Sequence, residues 1–206
     1  MTERTPTDTA QTNVTTSDKN ETPPSTNLAP FNPSSETAQR QSIALMDLQA
    51  SDILFDLGCG DGRLLIRAVS QVEGLRCVGV ELDTVFVERA QRAVDQLSPH
   101  VQERIQIRCE DLTEILKATN DEDTSKEVPT KLDDVSIFDA TVLYLYLLPR
   151  GLRQIKPFLD ELVKRRLARG HSLRVVAYTF SVAGWEPVKV DTSTKSGVPI
   201  YLYQFS

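Results

Sequence analysis

The stretch Ile53-Leu54-Phe55-Asp56-Leu57-Gly58-Cys59-Gly60-Asp61-Gly62-Arg63 decides the fold of this 206-residue chain. An apolar run enters it and three glycines at alternate positions turn it. An amphipathic segment with Leu64, Leu65, Ala68, Val69 and Val72 leaves it. That order predicts a buried strand, a tight loop and a helix. In open α/β sheets, ligands bind where strand carboxyl ends meet such loops. The usual dinucleotide loop is G-x-G-x-x-G, with its third glycine one place later, where this chain has Arg63. The charges differ too. Asp56 ends the strand and Asp61 sits inside the loop. Two carboxylates would repel a pyrophosphate at the helix N-terminus. They suit a ligand carrying ammonium and sulfonium groups.

Asp-x-Gly-x-Gly-x-Gly after a first strand, here Asp56 to Gly62, resembles motif I of the seven-strand (class I) S-adenosylmethionine-dependent methyltransferases. The resemblance implies an α/β fold: a Rossmann-like, doubly wound, seven-stranded and mostly parallel sheet with an antiparallel C-terminal strand and helices on both faces. It implies S-adenosylmethionine as cofactor, with Asp56, Gly58, Gly60, Asp61 and Gly62 among the residues that bind it.

Upstream, residues 1–28 are Thr-rich and nearly free of large apolar groups, so they read as a disordered polar tail. A single domain is expected over 29–206. At Pro30-Phe31-Asn32-Pro33-Ser34-Ser35 two prolines hold the chain extended, and Ser34 or Ser35 can cap a helix over 36–49. Pro-Phe-x-Pro-Ser ahead of a helix and the glycine loop resembles one methyltransferase subgroup. There this segment lies over the cofactor, which implies that Phe31, Pro33 and Ser34 contribute to the cofactor site.

Downstream, Leu75 to Glu81 reads as strand two, ending on an acid. Glu81 can take both ribose hydroxyls of a nucleoside; the alternative is that it opens a helix and favours its dipole. Asp83 caps a helix to about Leu97 with Phe86, Ala90, Ala93, Val94 and Leu97 inward, and Ser98-Pro99 stops it. Ile105 to Cys109 is strand three. By the resemblance, the acid after it accepts from an adenine amino group; Asp111 matches best and Glu110 second. The alternative is a cap for a helix over 112–117. Residues 118–134 are polar and acidic and read as a flexible surface insertion.

Residues 136–148 form the strand-four region, and Ala140 to Pro149 resembles the same subgroup, mainly bacterial proteins of similar length. More distantly the subgroup resembles the mitochondrial protein-lysine methyltransferases of the ATP synthase c-subunit and the adenine nucleotide translocase. The end of strand four faces the transferred methyl in this fold, which makes Tyr144 and Tyr146 the catalytic, substrate-side candidates. They are two apart, so on a regular strand both face one side. Aromatic faces hold a cationic amine or sulfonium with ~0.5–2 kcal/mol; the alternative is that they are core tyrosines. The Asn/Asp-Pro-Pro-Tyr/Phe motif of many amine methyltransferases is missing here, which counts against methylation of nucleic-acid bases. A helix over 150–169, bent or split at Pro157, leads to strand five over 172–180. Gly184-Trp185-Glu186-Pro187 carries the subgroup's Trp-x-Pro. Residues 188–190 and 198–205 read as a closing antiparallel pair.

A net charge of −6 gives no basic face for nucleic acid and no polybasic cluster for anionic lipid. The run Lys164, Arg165, Arg166 and Arg169 reads as a solvated helix end that complements the helix dipole. Cys59, Cys77 and Cys109 lie in or beside strands without metal-ligand spacing, so no metal is expected and a reducing, intracellular compartment fits. No run approaches the ~18 apolar residues of a membrane span, and no signal peptide is evident. The expected location is cytoplasmic, with the mitochondrion left open, and the expected state a monomer.

The function these readings support is in-line methyl transfer from S-adenosylmethionine, with a protein lysine as acceptor. A lysine must be neutral to attack, and burial against tyrosines lowers its pKa in that direction. The rivals are a small-molecule methyltransferase on the same fold, a non-catalytic S-adenosylmethionine-binding module, and a nicotinamide oxidoreductase, which the glycine spacing and Asp61 disfavour.

Overall fold

The computed structural model describes residues 33–112, 131–194 and 197–206. The tail, Phe31 and most of the 118–134 insertion lie outside the described residues. In chain order the elements are α1 (Glu36–Met46), β1 (Ile53–Leu57), α2 (Arg63–Gln71), β2 (Arg76–Glu81), α3 (Thr84–Val94), α4 (Pro99–Gln102), β3 (Ile105–Cys109), β4 (Val142–Leu145), α5 (Pro149–Ala168), β5 (Leu173–Tyr178), β6 (Lys189–Asp191) and β7 (Ile200–Phe205). The strands form one sheet in the order β3-β2-β1-β4-β5-β7-β6. β1 to β5 are parallel; β7 runs antiparallel to both β5 and β6. This is the expected Rossmann-like arrangement, with the predicted closing pair at one edge.

β1 is buried along its whole length because both faces are covered. Ile53, Phe55 and Leu57 join Leu143, Leu145 and the apolar side of α5. Leu54 joins Val142, Tyr144 and the apolar sides of α1 and α2 on the opposite face. Asp56 therefore points into the α1/α2 side, between Gly79 of β2 and Tyr144 of β4, its register partners.

Local chemistry moves several boundaries. α1 stops at Met46, because Asp47 adopts a left-handed conformation and the Arg174 guanidinium donates to the carbonyls of Met46 and Asp47. α3 stops at Val94, with Asp95 as its C-cap and short of the expected Leu97, and Ser98-Pro99 opens α4, a single turn with proline at its first position. Ile137–Asp139 is a 3-10 turn rather than strand, since Ser136 and Asp139 cap each other's backbone, so β4 begins only at Val142. α5 runs unbroken through Pro157. That residue is exposed, so water can reach the carbonyl its ring leaves unpaired, while Leu152, Ile155, Phe158, Leu159 and Leu162 hold the helix to the sheet.

The basic run at the end of α5 is not a solvated group of four. Arg166 is 6 % exposed. Its guanidinium donates to the Ser172 carbonyl at 3.1 and 3.0 Å and to the Phe138 carbonyl at 3.0 Å. Arg165 instead pairs with Glu161. Arg166→Met removes these donors and leaves two carbonyls unsatisfied. A loss of about 2–4 kcal/mol is expected in urea unfolding; a change under 0.5 kcal/mol would contradict the clamp.

Candidate functional site

The glycine loop is shaped by three left-handed glycines, Gly58, Gly60 and Gly62, with φ of 89°, 57° and 73°. These values suit a residue without a Cβ. The N–H groups of Gly58 and Cys59 donate to the Val80 carbonyl, which ties the loop down onto β2. The close approach requires Gly79. A Cβ there would lie 2.7 Å from both Cys59 Sγ and Leu65 Cδ1. Nothing local in the sequence distinguishes this glycine from any other residue in a strand.

Beside the loop opens a pocket of about 300 Å³ at the carboxyl ends of the parallel strands. Of the expected site residues, Pro33, Ser34, Asp56, Gly58, Gly60, Asp61, Glu81, Asp111, Tyr144 and Tyr146 line it. Gly62 does not. It caps α2 from behind, where a Cβ would lie 3.2 Å from Ala90 Cβ. Cys59, Arg63, Leu82, Phe86, Leu147, Leu148, Thr179 and Phe180 line the pocket unforeseen. Their segments were expected to lead to or from strands, but which side chains converge depends on how the strand ends meet.

Each acid has a distinct setting. Glu81 Oε2 accepts from the Gly60 N–H at 2.9 Å. Its Oε1 accepts from Leu82 and Asp83 at 2.9 and 3.0 Å. This carboxylate locks the loop to the start of α3, whose own cap is Asp83. Three of its ~four acceptor sites are in use, so one remains for a ligand hydroxyl. Asp61 is bonded to Arg63, Nε to Oδ1 at 2.8 Å. Burial disfavours its charge, but the Arg63 bond and ion pair outweigh burial and hold the carboxyl below the ordinary range.

Asp56 is 3 % exposed, and its carboxyl has no side-chain hydrogen bond among the described residues. Burial, then the charges of Glu81 and Asp61, push its pKa up to about 8. Burial and its acidic neighbours thus favour the protonated carboxyl at neutral pH. Four residues earlier, buried Asp52 is fully matched by Arg174, the Thr141 hydroxyl and the Gln49 N–H. Two buried aspartates on one short stretch thus differ: one is paired away from the pocket, the other unpaired and facing it.

Tyr144 is 2 % exposed, and its hydroxyl lies beside that of Ser42 on α1, both buried with no other hydrogen-bond partner among the described residues. Burial, then the Asp56 charge, raises the Tyr144 pKa well above its usual value. Tyr146 packs on the same face, as expected, with its ring centroid 4.7 Å from that of Tyr178. The unpaired Asp56 carboxyl facing the pocket fits a polar ligand better than a sealed core. With Asp61, Glu81, Glu110 and Asp111 against Arg63 alone, the charged lining suits cationic groups.

Sheet order and glycine loop are those of a Rossmann-like methyltransferase fold, and the similarities that follow support an S-adenosylmethionine-dependent methyltransferase, with S-adenosylmethionine as cofactor. Residues 54–125 match a family model described as a methyltransferase domain. The chain is 28% identical over 178 residues to a protein-lysine N-methyltransferase from Saccharolobus islandicus (strain REY15A), covering 84% of this chain and 92% of that protein. It is also similar to the crystal structure of an RNA methyltransferase from Salinibacter ruber in complex with S-adenosyl-L-homocysteine. The TM-score is 0.63 at 26% identity, over 84% of this chain and 94% of that one. A precorrin 8W decarboxylase from Methanobacterium thermoautotrophicum shares the fold, with TM-score 0.52 at 12% identity over 85% and 92% of the two chains. Among the described residues no helix is long and apolar enough to cross a membrane, and no cluster of metal-ligating side chains occurs.

Proposed function

We propose that the protein N-methylates a lysine side chain of a protein. The observation that carries this is the β4 end of the pocket, where Tyr144 and Tyr146 line it, with the Tyr178 ring packed against Tyr146. Such a wall attracts a lysine ammonium through its ring faces. Apolar burial then favours the neutral amine, the form that can attack. The similarity to the Saccharolobus enzyme supports the same acceptor. The Salinibacter neighbour, an RNA methyltransferase, favours RNA as a second reading.

S-adenosylmethionine supplies an electrophilic methyl on a sulfonium leaving group. Gly58 and Gly60 let the backbone approach the cofactor closely. Glu81 would accept from a ribose hydroxyl through its remaining acceptor site, Asp111 from the adenine amino group, and Asp56 and Asp61 would balance the cofactor's positive charge. Pro33 and Ser34 cover the pocket, and Gln39 holds Ser34 through a 2.8 Å bond from Nε2 to its carbonyl. Tyr144 and Tyr146 orient the acceptor and exclude water, so that methyl transfer rests on alignment rather than on a protein nucleophile.

Calorimetry with S-adenosylhomocysteine, then labelled methyl transfer to polylysine and to total RNA, tests the reading. Binding by the wild type and label in polylysine support it. Label in RNA alone selects the second reading, and label in neither rejects both. Glu81→Ala frees the Gly60, Leu82 and Asp83 N–H groups and is expected to weaken S-adenosylhomocysteine binding at least tenfold. Unchanged affinity would remove Glu81 from the site.

A further inference from the structure

Thr179, the first residue after β5, has φ +77°. Among the described residues the other non-glycine with positive φ is Asp47. Asp47 caps α1 and belongs to a residue type that tolerates the left-handed region. A β-branched threonine does not tolerate it, and such outliers cluster at functional sites. The conformation is imposed from outside. The Thr179 N–H donates to the Pro199 carbonyl at 2.9 Å, directly after the last β5–β7 register pair, Tyr178 and Ile200. Glycine would meet the same backbone requirement without steric strain. The backbone therefore does not account for a threonine at this position. The residue lines the pocket, and its hydroxyl has no hydrogen-bond partner among the described residues.

The position narrows what the side chain serves. The acids that suit the cofactor stand at the ends of β1, β2 and β3 and in the glycine loop. Thr179 stands two strands from that loop, roughly 10 Å at the usual strand spacing, past β4 with its tyrosines. Building on the methyltransferase reading, we propose that Thr179 is an acceptor-positioning residue, held in a strained turn so that its side chain contacts the methyl acceptor at the β4/β5 end of the pocket.

The test compares Thr179→Gly, Thr179→Val and Thr179→Ser in the full chain. Unfolding temperature, S-adenosylhomocysteine affinity and labelled transfer to polylysine and total RNA are measured. Thr179→Gly is expected to melt about 2–4 °C higher, because strain is relieved. Its cofactor affinity is expected to stay within twofold, with kcat/KM for the acceptor down at least tenfold. Thr179→Val keeps shape and strain but loses the hydroxyl; it should show the same acceptor defect with an unchanged KM for S-adenosylmethionine. Thr179→Ser should recover most of the activity.

A Thr179→Gly protein as active as the wild type overturns the proposal. So does one that melts lower or binds S-adenosylhomocysteine more weakly, since threonine would then serve the fold or the cofactor. A wild type that binds the cofactor product but labels neither acceptor also overturns it, because no acceptor is left to position. A wild type that fails to bind S-adenosylhomocysteine marks instead the failure of the cofactor assignment beneath it.

Discussion

Asp56→Asn is expected to unfold well above the wild type at pH 8, yet to bind S-adenosylmethionine at least tenfold more weakly. The carboxyl titrates at about 8 in the folded protein and near 3.9 in an unfolded chain. Between those values the native state keeps a proton that the unfolded state has released. Stability therefore falls as pH rises from ~4 to ~8, and the loss is complete above 8. A shift of that size corresponds to on the order of 5 kcal/mol. An amide cannot ionise, so Asp56→Asn should match the wild type near pH 4 and pull ahead as pH rises.

Binding reverses the preference. Cationic groups of the cofactor favour the ionised carboxylate, so binding releases a proton below pH 8. Wild-type affinity should rise by up to tenfold per pH unit from about 6 to 8 and then level off. The variant's should stay flat. Calorimetry in buffers of different ionisation enthalpy counts the proton directly. Equal affinities for variant and wild type at pH 8 would remove Asp56 from the cofactor site.

Gly79→Ala is expected to cost about 1–3 kcal/mol of stability through overpacking and to weaken cofactor binding at least tenfold. The added methyl would lie 2.7 Å from both Cys59 Sγ and Leu65 Cδ1, so the glycine loop or α2 must shift. Moving Cys59 displaces Gly60, whose N–H is bonded to Glu81. Thermal unfolding and S-adenosylhomocysteine calorimetry should therefore change together. A destabilised protein with wild-type affinity would show that the loop does not depend on this contact.

Much of the architecture is legible in single segments. The β1–loop–α2 unit, the acids that end β2 and follow β3, and the antiparallel closing pair all follow from local patterns. A strand shows its apolar run, a helix its 3.6-residue period, and glycine marks a left-handed turn. Tyr144 and Tyr146 share a face because strand geometry requires it. Where local reading failed, a competing contact decided. Ser136 and Asp139 cap a turn inside an apolar run, and Arg166 leaves a basic series to hold the carbonyls of Ser172 and of distant Phe138.

By itself the sequence determined the class of sheet, the glycine loop and the residue types able to meet a cationic, adenosine-bearing ligand, because these depend on neighbours along the chain. Tertiary structure decided the rest. Asp52 and Asp56 are the same residue type four positions apart, yet one finds Arg174 and the other only buried space beside Tyr144 and Gly79. Thr179 takes a positive φ because the Pro199 carbonyl claims its N–H. Charge state, backbone strain and close approach depend on what distant segments bring within a few ångströms, and they are fixed only when the sheet closes around the pocket.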